Sequence, residues 1–219
     1  MGVTVITGAN RGIGLALTQQ LSEQGHNVLA VCRTASDELK ALDVPVIDGI
    51  DVTDDDLSSL SGYLGNRTVD LLINNAGLLR RTSLHTLNLA DVRRQFEVNA
   101  LGPLKVTHAL LDYFTPGSKV VHITSRMGSI ADNTSGSHYG YRMSKAAINM
   151  ACKSMAIDLA PRGVAVCVLH PGFVQTGMTG GHGDVDAAFS ARGLIARIAE
   201  LNLENSGSFW HAQGQALPW

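Results

Sequence analysis

Long apolar runs are absent from this sequence. No stretch approaches the roughly 18 consecutive apolar residues a membrane-spanning helix needs, so no membrane partner is expected. The N-terminus has none of the layout of a signal peptide, entering a β-branched run at Val3 and a glycine loop at Gly8. Cysteine is scarce: Cys32, Cys152 and Cys167 are odd in number, far apart and without a CxxC pair. Such thiols point to a reducing, cytoplasmic setting and not to a disulfide framework. The eight histidines form no HxH or HExxH, so no metal site is expected. A formal charge of −2 offers nucleic acid and anionic membranes nothing to hold.

What is present is a core. Apolar residues make up 45% of the chain and charged residues 16%, and glycine occurs 23 times, as in a globular domain with many tight turns or close backbone approaches. Apolar segments alternate in type. Strands are expected at 3–7, 27–33, 44–51, 69–77, 118–125, 164–172 and, shorter, within 207–212. Helices are expected at 12–25, 54–65, 88–114, 139–163 and 185–202. Continuous apolar strands separated by helices indicate an α/β fold, a parallel sheet covered on both faces. No repeat, low-complexity tract or linker interrupts it, so residues 1–219 read as one domain.

The first strand runs into TGANRGIG (7–14) and then a helix. Gly8 permits a tight turn, Gly12 lets a pyrophosphate approach the backbone, and Gly14 lets helix and strand pack closely. The helix start adds free N–H groups and a positive dipole end. The Gly-x-x-x-Gly-x-Gly spacing departs from the general dinucleotide fingerprint and resembles that of the short-chain dehydrogenase/reductase family. The resemblance spans essentially the whole chain, because NNAG, VNALGPL, ITSRMGS, YRMSK and HPGFVQT follow in family order. It implies a Rossmann fold, a doubly wound parallel sheet of about seven strands in the order 3-2-1-4-5-6-7.

Cofactor choice is readable at the second strand. Sites for NAD usually place an acid there for the ribose hydroxyls. In AVCRT the position holds Cys32, followed by Arg33, and Arg11 lies in the glycine loop. Two guanidinium forks and no acid favour a 2′-phosphate, hence NADP(H). The resemblance further implies cofactor contacts from Gly8, Asn10, Arg11, Gly12, Ile13 and Gly14, from Asp51 and Val52 at the adenine, and from Asn75, Ala76 and Gly77. At the nicotinamide end it implies Pro171, Gly172, Val174 and Thr176, together with Tyr141 and Lys145.

The chemistry centres on SHYGYRMSK (137–145). On a helix, Tyr141 and Lys145 lie four apart and about 40° from alignment, whereas Tyr139 is about 120° away from Lys145. Carbonyl reduction needs a proton donor that also works as a base in reverse, and a free tyrosine titrates near 10. A neighbouring lysine cation and an oxidised nicotinamide would favour phenolate and pull that value down. By resemblance Asn99, Ser125, Tyr141 and Lys145 form the catalytic set, with Ser125 hydrogen-bonding the substrate oxygen as charge develops. Pro103 lacks an N–H, so the Asn99 carbonyl loses its donor four residues on, and a water there would link it to Lys145.

Two segments depart from the family pattern. Sixteen residues separate Ser125 from Tyr141, and the polar ADNTSGSH suggests a flexible rim loop beside Arg126 and His138. A substrate loop at 176–186 holds four glycines in GMTGGHGDVD and reads as short and mobile. Within the family, SRMGSIADN followed by YGYRMSKAAINM, and the terminal LPW, resemble C-factor/sniffer-like carbonyl reductases. That likeness implies a small carbonyl or alcohol substrate (an aldehyde, ketone, diketone or quinone) and a homodimer or homotetramer formed through helices 88–114 and 139–160. The alternative is an NADP(H)-binding redox sensor or signalling protein with little turnover.

Overall fold

The computed structural model describes residues 2–219. Its first strand, β1 (Val3–Thr7), is buried along its whole length, with Val3 and Val5 in one hydrophobic cluster and Ile6 in the other. A strand buried on both faces has no solvent side, so the run carries no charged residue and even Thr4 and Thr7 are buried. The remaining strands are β2 (Val28–Val31), β3 (Val46–Ile47), β4 (Val69–Asn74), β5 (Phe114–Ile123), β6 (Ala165–His170) and β7 (Ser208–His211). All pair in parallel in the order β3-β2-β1-β4-β5-β6-β7, the order expected. Helices α1 (Gly12–Glu23), α2 (Asp37–Lys40) and α7 (Ala187–Glu200) cover one face through Leu17, Leu21, Leu39 and Leu194. Helices α3 (Ser58–Leu64), α5 (Gly102–Ala109) and α6 (Tyr139–Leu159) cover the other through Leu60, Val106, Ile148 and Leu159. Among the described residues no helix is long and apolar enough to cross a membrane.

Boundaries move where backbone groups find other partners. The strand expected at 44–51 shrinks to β3, an edge strand between Pro45, which lacks a donor, and Gly49, whose φ of 79° turns the chain away. Helix α3 starts at Ser58 and not at 54, because the Asp56 carboxylate accepts the Ser58 N–H in a local turn. The stretch expected as one helix over 88–114 is divided. Asn88 caps α4 (Leu89–Phe96) by accepting the Ala90 and Asp91 N–H groups. A π-helical turn over Glu97–Leu101 then intervenes, in which the Gly102 N–H reaches back five residues to the Glu97 carbonyl. Pro103, without an N–H, sits at the start of α5, so the ladder slips where its donor is missing. Strand β5 begins four residues earlier than expected, because Phe114 pairs with Val69 across a register shift. The four-residue α2, capped by Ser36, was not foreseen.

Candidate active site

The carboxyl ends of β1, β4, β5 and β6 meet at one edge of the sheet, and side chains from distant segments tie them together. Thr7 Oγ1 accepts the N–H groups of Asn75 and Ala76 at 3.1 Å each. Asn75 Nδ2 answers by donating to the carbonyls of Thr7 and Gly8 at 3.0 and 3.1 Å. Glycine is required where these segments cross: a Cβ on Gly14 would stand 2.2 Å from the Gly8 carbonyl oxygen. Asn10 Nδ2 donates to the Thr34 carbonyl at 3.0 Å, pinning the glycine loop to the end of β2. Among the described residues no side chain caps α1 and its first turn carries no acid, so its leading N–H groups remain available to an anion.

A cleft of about 600 Å³ runs along this edge. Gly8, Asn10, Arg11, Gly12, Ile13 and Gly14 line one end, and Arg33, Asp51 and Val52 its wall beyond β2. Asn75, Ala76 and Gly77 follow, with Tyr141, Lys145, Pro171 and Thr176 toward the other end. Gly172 opens instead on a neighbouring cavity of about 390 Å³. Val174 is buried and bridged to Val185, which anchors the turn. Asn99 and Ser125 do not line the cleft. The Asn99 side chain is buried, accepting the Leu78 N–H at 2.7 Å and donating to the Leu78 carbonyl and to Ser144 Oγ. It thus clamps the segment following Gly77.

Tyr141 and Lys145 share the inward face of α6, with relative exposures of 8% and 4%. Lys145 Nζ donates to the Ile123 carbonyl at the end of β5 at 2.8 Å and stands 5.7 Å from the centre of the Tyr141 ring. Tyr139 is half-buried at the start of the helix and does not line the cleft. Ser125 lies two residues beyond β5, its Oγ accepting the Met127 N–H at 3.1 Å. Three residues on, Gly128 lies against α6, where a Cβ would stand 2.7 Å from the Lys145 carbonyl carbon. No residue with a side chain fits there without displacing the lysine, a constraint the sequence alone did not signal.

Burial dominates the electrostatics here. Tyr141 is pushed up to about 12 by burial, with a hydrogen bond from the Ser125 side chain working the other way. Lys145 is pushed down to about 8, also by burial. The expected lowering of the phenol calls for the lysine cation together with an oxidised nicotinamide, and burial by itself acts the other way. The phenol holds its proton throughout the neutral range. His122 lies on β5 with Nδ1 3.2 Å from Asn74 Nδ2. Burial and then the Lys145 charge push it down to about 3, so it stays neutral.

Arg94 was missed from the sequence, because it lies on α4 far from any nucleotide motif. It lines the cleft, and its Nη2 donates to Asp51 Oδ2 at 2.9 Å. Burial works to raise the Asp51 carboxyl, but the Thr53 N–H and hydroxyl and the Arg94 charge outweigh it and hold it below the usual range.

The two loops at the far end are tied down. The Asp184 N–H donates to the Phe173 carbonyl at 2.7 Å and the Gln175 N–H to the Val185 carbonyl at 2.9 Å. Thr176 and Thr179 cap each other's backbone between them. In the segment expected as a flexible rim, the His138 N–H donates to the Thr82 carbonyl and Arg142 holds Gly136 and Ser135. The Trp219 carbonyl group accepts from Ser129 Oγ and from the Ile130 and Ala131 N–H groups, fixing the loop beyond Ser125. Glycine content implied mobility in both places, and these hydrogen bonds supply restraints that composition does not reveal.

An elongated cleft across the carboxyl edge of a doubly wound parallel sheet, with an uncapped helix at one end and a buried tyrosine–lysine pair toward the other, defines a Rossmann-type oxidoreductase. The chain belongs to the short chain dehydrogenase family, whose family model matches residues 2–185. It is 50% identical over 154 residues to the C-signal protein of Myxococcus xanthus, covering 69% of this chain and 93% of that protein. It is 38% identical over 226 aligned residues to the 1-hydroxy-2-glutathionyl-2-methyl-3-butene dehydrogenase of Rhodococcus sp. (strain AD45), covering 100% of both. Among solved structures, a carbonyl reductase from Pseudomonas aeruginosa PAO1 in complex with NADP matches with a TM-score of 0.89 at 31% identity, covering 100% of both chains.

Proposed function

We propose that this protein is an NADP(H)-dependent carbonyl reductase working as one unit over residues 1–219. The observation that carries the reading is the pair on α6, a phenol kept protonated by burial with a lysine at the same buried place. The uncapped start of α1 and the close Gly8–Gly14 crossing suit a diphosphate, so the residues present fit the cofactor. Gly8 through Gly14 would hold the diphosphate, Arg11 and Arg33 the 2′-phosphate, and Asp51 and Val52 the adenine. Asn75 to Gly77 would support the ribose end, and Pro171, Gly172, Val174 and Thr176 the carboxamide. When bound, the nicotinamide supplies the hydride for the carbonyl carbon.

Tyr141, protonated at neutral pH, gives its proton to the substrate oxygen. Ser125, whose side chain is within reach of that phenol, orients the same oxygen by a hydrogen bond. Lys145 stands ready to restore the proton, since a value of about 8 lets it lose and regain charge near neutrality. The Asn99 carbonyl, four residues before Pro103 and within the π-turn, is the group we assign to the solvent end of that relay.

A second copy of this chain is the partner we assign to α5 and α6. Met143, Met150 and Ile157 recur every seven residues on α6 at 53%, 69% and 69% exposure, with Leu104 exposed on α5. An apolar stripe of this kind suits a helix-to-helix interface.

The likeness to the C-signal protein favours a second reading, an NADP(H)-binding signalling protein with little turnover. NADPH oxidation against aldehydes, α-diketones, quinones and cyclic ketones separates the two, with Tyr141→Phe in parallel. Turnover by the wild type that falls at least ~1000-fold in the variant, with NADPH binding kept within about twofold, supports the reductase. NADPH binding without turnover on any carbonyl supports the sensor, and an active variant would mean that another group is the acid.

A further inference from the structure

Asp51 stands on the cleft wall, where a bare carboxylate would oppose a phosphorylated ribose. It is not bare. Oδ1 accepts the Thr53 N–H at 3.0 Å and the Thr53 hydroxyl at 2.8 Å. Oδ2 accepts Arg94 Nη2 at 2.9 Å, and the other arm, Nη1, donates to Thr53 Oγ1 at 3.0 Å. Arg94 thus closes a ring with Asp51 and Thr53, using the geometry that distinguishes arginine from lysine. Arg33 Nη1 stands 3.7 Å from the same Oδ2, beyond hydrogen-bonding distance, and its side chain is 65% exposed.

We propose that Arg94 determines selectivity for a 2′-phosphorylated nucleotide by acting through Asp51. It occupies the carboxylate, so Arg33 is held there only by a long ion pair of 3.7 Å that a phosphate can displace, and the phosphate meets a neutralised wall. This inference rests on the NADP(H) reading above. Without Arg94, Asp51 Oδ2 has no closer cation, and its 3.7 Å ion pair with Arg33 tightens into a hydrogen-bonded one. A phosphate then has to break that pair and approach a bare carboxylate. A ribose with a free 2′-hydroxyl meets no such obstacle, since an open carboxylate is a good acceptor for hydroxyls. The loss therefore falls on NADPH and spares NADH, an asymmetry that a merely structural role would not produce.

Dissociation constants for NADPH and NADH, measured by calorimetry, decide the matter for wild type, Arg94→Met, Asp51→Asn, the double variant and Arg33→Met. Arg94→Met is expected to weaken NADPH by about tenfold, the scale of one charge-assisted hydrogen bond at a partly exposed site, and to leave NADH within about twofold. Adding Asp51→Asn to Arg94→Met is expected to restore NADPH binding to within about threefold of wild type, because no carboxylate remains to capture Arg33. Equal weakening of both cofactors by Arg94→Met, or a double variant no better than Arg94→Met, overturns the inference. If Arg94→Met does not fold, Arg94→Lys keeps the charge and loses the fork; a loss confined to NADPH supports the inference, and an equal loss for both overturns it. Wild type that binds neither cofactor, or prefers NADH, overturns the NADP(H) reading itself. An NADPH preference lost in Arg33→Met and kept in Arg94→Met overturns this inference alone.

Discussion

Replacing Lys145 with methionine isolates what burying that ammonium does to stability. Lys145 is 4% exposed and its value falls from 10.5 to about 8 through burial. Because the folded value is the lower one, the unfolded chain binds more protons between pH 8 and 10.5, and stability rises with pH there. The contribution is nil below about pH 8 and reaches about 2 to 3 kcal/mol at pH 10, levelling off above the unfolded value. Methionine matches the stem in length and cannot titrate. It leaves the Ile123 carbonyl without its donor, at a cost of about 1 kcal/mol that does not vary with pH. Urea unfolding of wild type and Lys145→Met at half-unit steps from pH 7 to 10, followed by circular dichroism, gives the difference directly. Titration of Cys152, raised to about 12 by burial, is common to both proteins and cancels. Wild type is expected to gain about 2 to 3 kcal/mol on the variant across that range, nearly all of it above pH 8. Parallel curves would refute the argument, showing that Lys145 is solvated when folded and that its value is ordinary.

Gly14→Ala places a Cβ 2.2 Å from the Gly8 carbonyl oxygen and forces α1 off β1. The expected cost is at least about 2 kcal/mol in chemical unfolding, together with loss of NADPH binding by calorimetry. Asn99→Ala removes the clamp on both backbone groups of Leu78. A loss of about 2–3 kcal/mol is expected, and unchanged stability would mean that solvent replaces the clamp freely. Met150→Lys with Ile157→Glu charges the apolar stripe on α6. Light scattering is expected to show a smaller particle than wild type; the same mass for both would place any interface elsewhere.

Local rules carried the sequence reading a long way. The glycine loop, the alternation of strands and helices and the four-residue step from Tyr141 to Lys145 all depend on short-range geometry, and the sheet order followed from the resemblance they established. The break near Asn99 was also legible, because Pro103 withholds one N–H wherever it stands. Its form as a π-turn was not, since that depends on how Asn99 and Gly102 pack against Leu78 and Val52.

Tertiary structure decided what depends on neighbours remote in the chain. Arg94 meets Asp51 across forty-three residues, and Asn75 staples Gly8 across sixty-seven. Strand β3 ended early because only β2 flanks it, and Gly128 mattered because α6 crosses there. The state of Tyr141 turned on the same point. Sequence placed a cation within reach of the phenol, but a charge's effect depends on the dielectric around it, and only the packed fold reveals that burial pushes the phenol up and the lysine down.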